Sequence, residues 1–168
     1  MKRLIIKFGK TLKNKQMDKL AFLQTDYINL LQQLDPNTKP VFGKMNVHQM
    51  IEHMGYAFRQ ASGLIPLPAL NDEATTQKMY YFMMSDKPFR DNTPNPYLPD
   101  ESEIPLHSSI AESIISLEKD INHFKTVFEY EPDLRILNPF FGNLNMDEWI
   151  HLLHKHAMHH LRQFNQTQ

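Results

Sequence analysis

The 168-residue chain predicts an all-α fold: one domain over residues 1–168, a four-helix bundle with a long proline-rich loop between its second and third helices. Three observations predict it. Four segments carry apolar residues at helical spacing, and each has at least one recognisable boundary. Seven of the eleven prolines fall between Leu64 and Leu106, where they interrupt any long regular element. The length is that of one domain able to bury a continuous core without staples.

The first helix runs from about Lys15 to Leu34, with Met17, Leu20, Leu23, Tyr27, Leu30 and Leu31 near helical spacing, and stops at Asp35-Pro36. The second opens at Asn46 as N-cap and continues through Phe58 to Ala61, before Gly63 offers a C-terminal cap. Its core face is Val47, Met50, Met54, Ala57, Phe58 and Ala61. The third begins near Ser108 or Ser109 and carries Ile110, Ile114, Leu117, Ile121, Phe124 and Phe128, a stripe of alternating four- and three-residue steps. The fourth opens at Asn145, where Glu148 completes a capping-box pattern, and runs from Met146 to about Phe164.

Within the stretch from Leu64 to Leu106 only Glu73 to Met84 reads as a short helix. A loop of that length in a compact domain is usually functional or a cover, and it reads as a flap across one end of the bundle. Leu4, Ile5 and Ile6 could pair as a strand or extend loosely.

Composition excludes several function classes. With 18 basic and 19 acidic residues the formal net charge is −1, so no extended positive field exists for a phosphate backbone or anionic lipid, and nucleic acid is not an expected partner. The absence of cysteine removes disulfides, thiolate metal ligands and a catalytic thiol together. The apolar run at Leu4 to Ile6 is broken by Lys7 and followed by Lys10, Lys13 and Lys15, too short and too charged for a signal-peptide core or a membrane span. A cytoplasmic location is expected.

Five of the nine histidines lie on the fourth helix. On a wheel of roughly 100° per residue, Trp149, Leu152, Leu153, His160, Gln163 and Phe164 fall within about 80° of His156. His156 and His160 therefore continue the buried stripe, and residues four apart on a helix can grip one ion. His151 and His154 point more than roughly 120° away and are expected in solvent, while His159 lies about 60° from His156, a boundary residue or a donor behind the ligands. An HxxxH pair also arises by chance, and a buried histidine is often satisfied by a carbonyl. On the second helix His53 borders the core arc beside Gln49 and Gln60. That placement suits a ligand facing a cavity, and equally a boundary histidine bonded to a neighbouring helix.

The segments Phe42-Gly43-Lys44-Met45-Asn46-Val47-His48-Gln49-Met50-Ile51-Glu52-His53 and His156-Ala157-Met158-His159-His160-Leu161-Arg162-Gln163-Phe164 resemble the two signature segments of the DinB/YfiT-like superfamily, specifically its branch designated DUF1569. The overlap extends from about the first helix to the C-terminus. The resemblance implies a four-helix bundle of DinB/YfiT type in which one histidine of the second helix and an HxxxH pair of the last coordinate zinc, nickel or a similar divalent ion. Those positions are His53, His156 and His160. Many relatives end the second segment as His-His-Arg-Gly-Gln; here Gln163 matches and the two residues before it do not. Characterised members include metal-dependent transferases and isomerases that use low-molecular-weight thiols.

Three neutral imidazoles leave a divalent ion its charge and an open position, a catalytic more than a structural pattern. The expected function is therefore a metal-dependent enzyme, a thiol-dependent transferase or a metal-assisted hydrolase, acting on a small molecule. Gln49, Tyr56, Gln60, His159 and Gln163 are candidates for contacting substrate or supporting the ligands. No carboxylate is placed as a general base, Glu52 being roughly 100° around the helix from His53. The competing reading is a non-catalytic helical binding protein with an opportunistic or empty metal site. A homodimer through bundle faces accords with the prevalence of such dimers.

Overall fold

The computed structural model describes residues 16–93, 96 and 105–166. The expected strand at Leu4 to Ile6 lies outside the described residues. Helix α1 covers residues 16–24 and is followed, across Thr25, by α2 (Asp26–Gln33). One helix was expected here; the backbone is offset at Thr25 (φ −124°, ψ −71°), whose hydroxyl donates to the Ala21 carbonyl at 2.7 Å. Such back-bonding by threonine competes with the helical ladder and bends it. Leu20, Leu23, Tyr27, Ile28, Leu31 and Leu34 are buried, whereas Met17 is half exposed.

Helix α3 (Val47–Ala61) opens on a reciprocal capping box. Asn46 accepts from the Gln49 backbone, and the Gln49 side chain accepts from the Asn46 backbone, at 2.9 Å each. It closes at Ser62, and Gly63 supplies the left-handed residue beyond (φ +79°). Helix α4 (Glu73–Met84) is capped by Asp72 and α5 (Ile110–Tyr130) by Ser109. Between α5 and the last helix is an antiparallel pair, β1 (Ile136–Asn138) and β2 (Gly142–Leu144), with Ile136 opposite Leu144 and Asn138 opposite Gly142. The sequence reading did not anticipate this hairpin. Asn138 closes its turn by accepting from the Phe140 and Phe141 amides, and the Trp149 indole donates to Ile136.

Helix α6 (Met146–Gln163) begins at a second capping box, Asn145 with Glu148. The Glu148 carboxylate also accepts from Tyr80 of α4 at 2.7 Å and pairs with Arg135 beside β1, so the entry of α6 is tied to two neighbouring elements. Helix α3 packs along α5 and against α6, α2 packs on α5, and α4 and β2 lie against α6. Phe58, Phe124, Phe128, Trp149 and Phe164 are the large fully buried side chains of the shared core, together with Tyr27. The fold is thus mostly helical with one small sheet. Among the described residues no helix is long and apolar enough to cross a membrane.

Candidate metal centre

The capping box of α3 sets its register so that the apolar stripe from Val47 to Ala61 is buried, and His53 emerges at the edge of that stripe toward α6. Helix α6 buries Trp149, Leu152, Leu153, Ala157, Leu161 and Phe164, which turns His156 and His160 inward, one helical turn apart. The three imidazoles converge. His156 Nε2 lies 2.8 Å from His53 Nε2 and 2.9 Å from His160 Nε2, and all three candidate ligand atoms fall within 4.8 Å of one another.

Burial keeps these rings neutral. It depresses His53 to about 4, with the neighbouring His159 adding to the effect. His156 and His160 are pushed well below the usual histidine range, by burial first and then by the other imidazoles of the cluster. Neutral rings are the form in which histidine binds a metal.

Proton counting shows how well the site fits a cation. The Phe42 carbonyl can only accept, so the Gln163 Nε2 lying 2.8 Å from it must donate. That orientation turns Gln163 Oε1 toward His160 Nδ1, also at 2.8 Å, which must therefore carry the proton. A neutral His160 then has only a lone pair at Nε2. If His156 Nε2 bears a proton, His53 and His160 compete for it; if it does not, two lone pairs face each other between His156 and His160. No arrangement of neutral rings gives each close contact its own proton. His53 Nδ1 adds to the imbalance, being buried without a hydrogen-bond partner among the described residues, an arrangement that costs about 1–3 kcal/mol. The three Nε2 lone pairs of His53, His156 and His160 could instead be shared by one divalent ion, which would remove the conflict between the close ring contacts and would leave the proton of His53 on Nδ1. The cluster could hold a metal ion.

Around these rings the structure distributes the other sequence candidates unevenly. Gln163 is 2% exposed and directly behind His160. His159 packs at a tilt against Phe42, with ring centroids 5.0 Å apart, and its Nδ1 accepts from Arg162 at 3.3 Å; burial, then Arg162, lowers its pKa. Gln49 commits its amide oxygen to the cap of α3. Tyr56 and Gln60 are partly buried on α3, Gln60 two turns or roughly 10 Å along the axis from His53. Glu52 turns toward α5 instead, accepting from Ser113 and from the backbone and ring of His107. Burial raises its pKa, but those hydrogen bonds outweigh it and hold the carboxyl below its usual range.

Two expectations about α6 are corrected. His151 and His154, assigned to solvent from the wheel, are partly buried, because α4 and α1 cover that side of the helix. His151 faces the Met83 carbonyl at 3.0 Å and Lys19 at 2.6 Å, and His154 packs edge-on against Phe22. Burial, followed by Lys19, lowers both, His154 to about 4.

Sequence reasoning read the stretch from Leu64 to Leu106 as a flap across one end of the bundle, but named none of the residues that fasten the strap after α4. Lys155 donates to the carbonyls of Phe82, Met83 and Ser85, and Arg162 holds the Phe89 carbonyl and Asp91. Asn92 accepts from the Gly43 amide at 2.8 Å. The strap thereby sets Phe89 edge-on to His156, with ring centroids 6.4 Å apart. Phe89 belongs to no periodic pattern, so only the positive φ of Gly43 (+73°) had a local signal, a glycine in a turn ahead of a helix cap.

No curated protein and no solved structure matches the chain. The model of one family does, over residues 20–164, a span that includes all three converging histidines and every helix from α2 to α6. The chain belongs to the DinB superfamily.

Proposed function

We propose that this protein is a divalent-metal-dependent enzyme whose ion, zinc or nickel, is held by His53, His156 and His160. Its reaction is thiol-dependent group transfer or metal-assisted hydrolysis of a small molecule. The observation that carries the proposal is the meeting of three neutral imidazoles through the same ring nitrogen, in an arrangement that protons cannot satisfy. When bound, such an ion supplies Lewis-acid activation of a water or thiol nucleophile near neutral pH.

The chain's own residues do the rest. Burial keeps the three rings unprotonated and Gln163 orients one of them. Phe89 and the strap that carries it shield His156 on one side and limit water there. On this reading Gln49, Tyr56, Gln60 and His159 stand on the substrate side. With no cysteine in the chain, any thiol is brought by the substrate. The shared core of α1 to α3, α5 and α6 supports a four-helix bundle, and the two signature segments support the DUF1569 branch. A cytoplasmic location accords with the lack of cysteine.

The test begins with elemental analysis of protein purified without a histidine tag. Wild type is expected to carry about one equivalent of divalent metal, and His53→Ala and His160→Ala much less. Equal metal content in all three proteins would end the assignment. Metal-reconstituted protein is then assayed with thiol and electrophile panels and with hydrolysable esters and amides. Turnover that requires the added ion supports an enzyme, whereas bound metal without turnover supports a binding role.

A further inference from the structure

We propose that Gln163 is a positioning residue, clamped by the Phe42 carbonyl and seated against Gly43, that locks His160 in its Nδ1–H tautomer and so presents a bare Nε2 to the cluster. The purpose of the lock rests on the metal-site reading; the lock itself does not.

Gln163 is almost entirely buried, so water does not compete for its amide. Its two side-chain hydrogen bonds have only one consistent direction, because a carbonyl at Phe42 forces the NH2 to that side. Left to itself, neutral imidazole in water exchanges between two tautomers, and its partners decide which one persists in a protein. Here the partner is an oxygen at 2.8 Å from Nδ1. Ligating histidines commonly donate their second nitrogen to such a group, which sets both ring angle and basicity.

Gly43 makes the seat. A Cβ at this position would lie 2.6 Å from Gln163 Nε2, and φ is +73°, so a side chain here must displace the amide or the loop. The loop is held from both sides. Val41 N–H donates to the Gln163 carbonyl at 2.9 Å, while Gly43 N–H donates to Asn92. Residues 41–43 thus bracket the last turn of α6, and the Phe42 carbonyl is presented at a defined place.

The experiment reads ring nitrogens directly. Protein labelled with 15N-histidine is stripped of metal by chelation at neutral pH, and long-range 1H–15N spectra assign each tautomer; zinc affinity is measured in parallel. Wild-type His160 is expected as Nδ1–H. In Gln163→Leu its signals should shift toward a mixture of tautomers, and zinc Kd should weaken about ten- to hundredfold, with helical content retained. Gly43→Ala should move both readouts in the same direction, and it decides the matter if Gln163→Leu does not fold. An Nε2–H tautomer in wild type, or an unchanged tautomer in the variants, overturns the lock. If zinc does not bind wild type while the tautomer still depends on Gln163, the lock is supported and the metal reading fails.

Discussion

The burial of neutral histidines ties the site to stability. His53 has a folded pKa of about 4 against an ordinary value of 6.5. As pH falls, the unfolded chain takes up its proton first, so stability present above about 6.5 drains away toward about 4. Melting temperatures of the metal-free protein should therefore fall across that window, and less steeply in His53→Ala; a flat profile would contradict a buried neutral ring. At this scale the sequence exposed the identities: the wheel turned His156 and His160 inward, and His53 sat at the edge of a core arc. It could not show tautomers, because these depend on Gln163 and on the Phe42 carbonyl, 121 residues away in the chain. Nor could it place His151 and His154, whose partners lie on α4 and α1.

Helices were legible where their ends carried chemistry. Asn46, Ser109, and Asn145 with Glu148 act as the caps the sequence offered, each a short-range pattern that needs no knowledge of the rest of the fold, and the structure adds Gln49 and Asp72. Asn145→Ala should lower the unfolding free energy by about 1 kcal/mol in urea melts. On the metal-site proposal, divalent-metal content should not change, because Glu148 remains held by Tyr80 and Arg135. A larger loss accompanied by released metal would mean that the cap also sets the register of the ligands. The hairpin escaped notice because strands of three residues are too short for a period of two to emerge. The offset at Thr25 escaped because its cause is one hydroxyl turned back onto a carbonyl, within an otherwise continuous apolar pattern.

The whole molecule brings α3 and α6 together and lays the strap beside their histidines. Lys155 ties the last turn of α4 and the start of the strap, with the carbonyls of Phe82, Met83 and Ser85 at 2.8 to 3.1 Å. Lys155→Met removes these charge-assisted bonds and should speed amide hydrogen exchange over residues 82–92 by about tenfold or more. On the metal-site proposal, release of added zinc to a chelator should also become faster; unchanged exchange and release would show that Arg162 and Asn92 suffice. By itself the sequence determined a mostly helical chain, the ends of its helices and the histidines that face inward, since periodicity, caps and turn residues act over a few positions. Only the tertiary structure decided that imidazoles 103 positions apart in the chain share one point, which amide stands behind them, and what covers them. Those contacts depend on how helices pack, and packing is settled by the fit of whole faces, which no local pattern encodes.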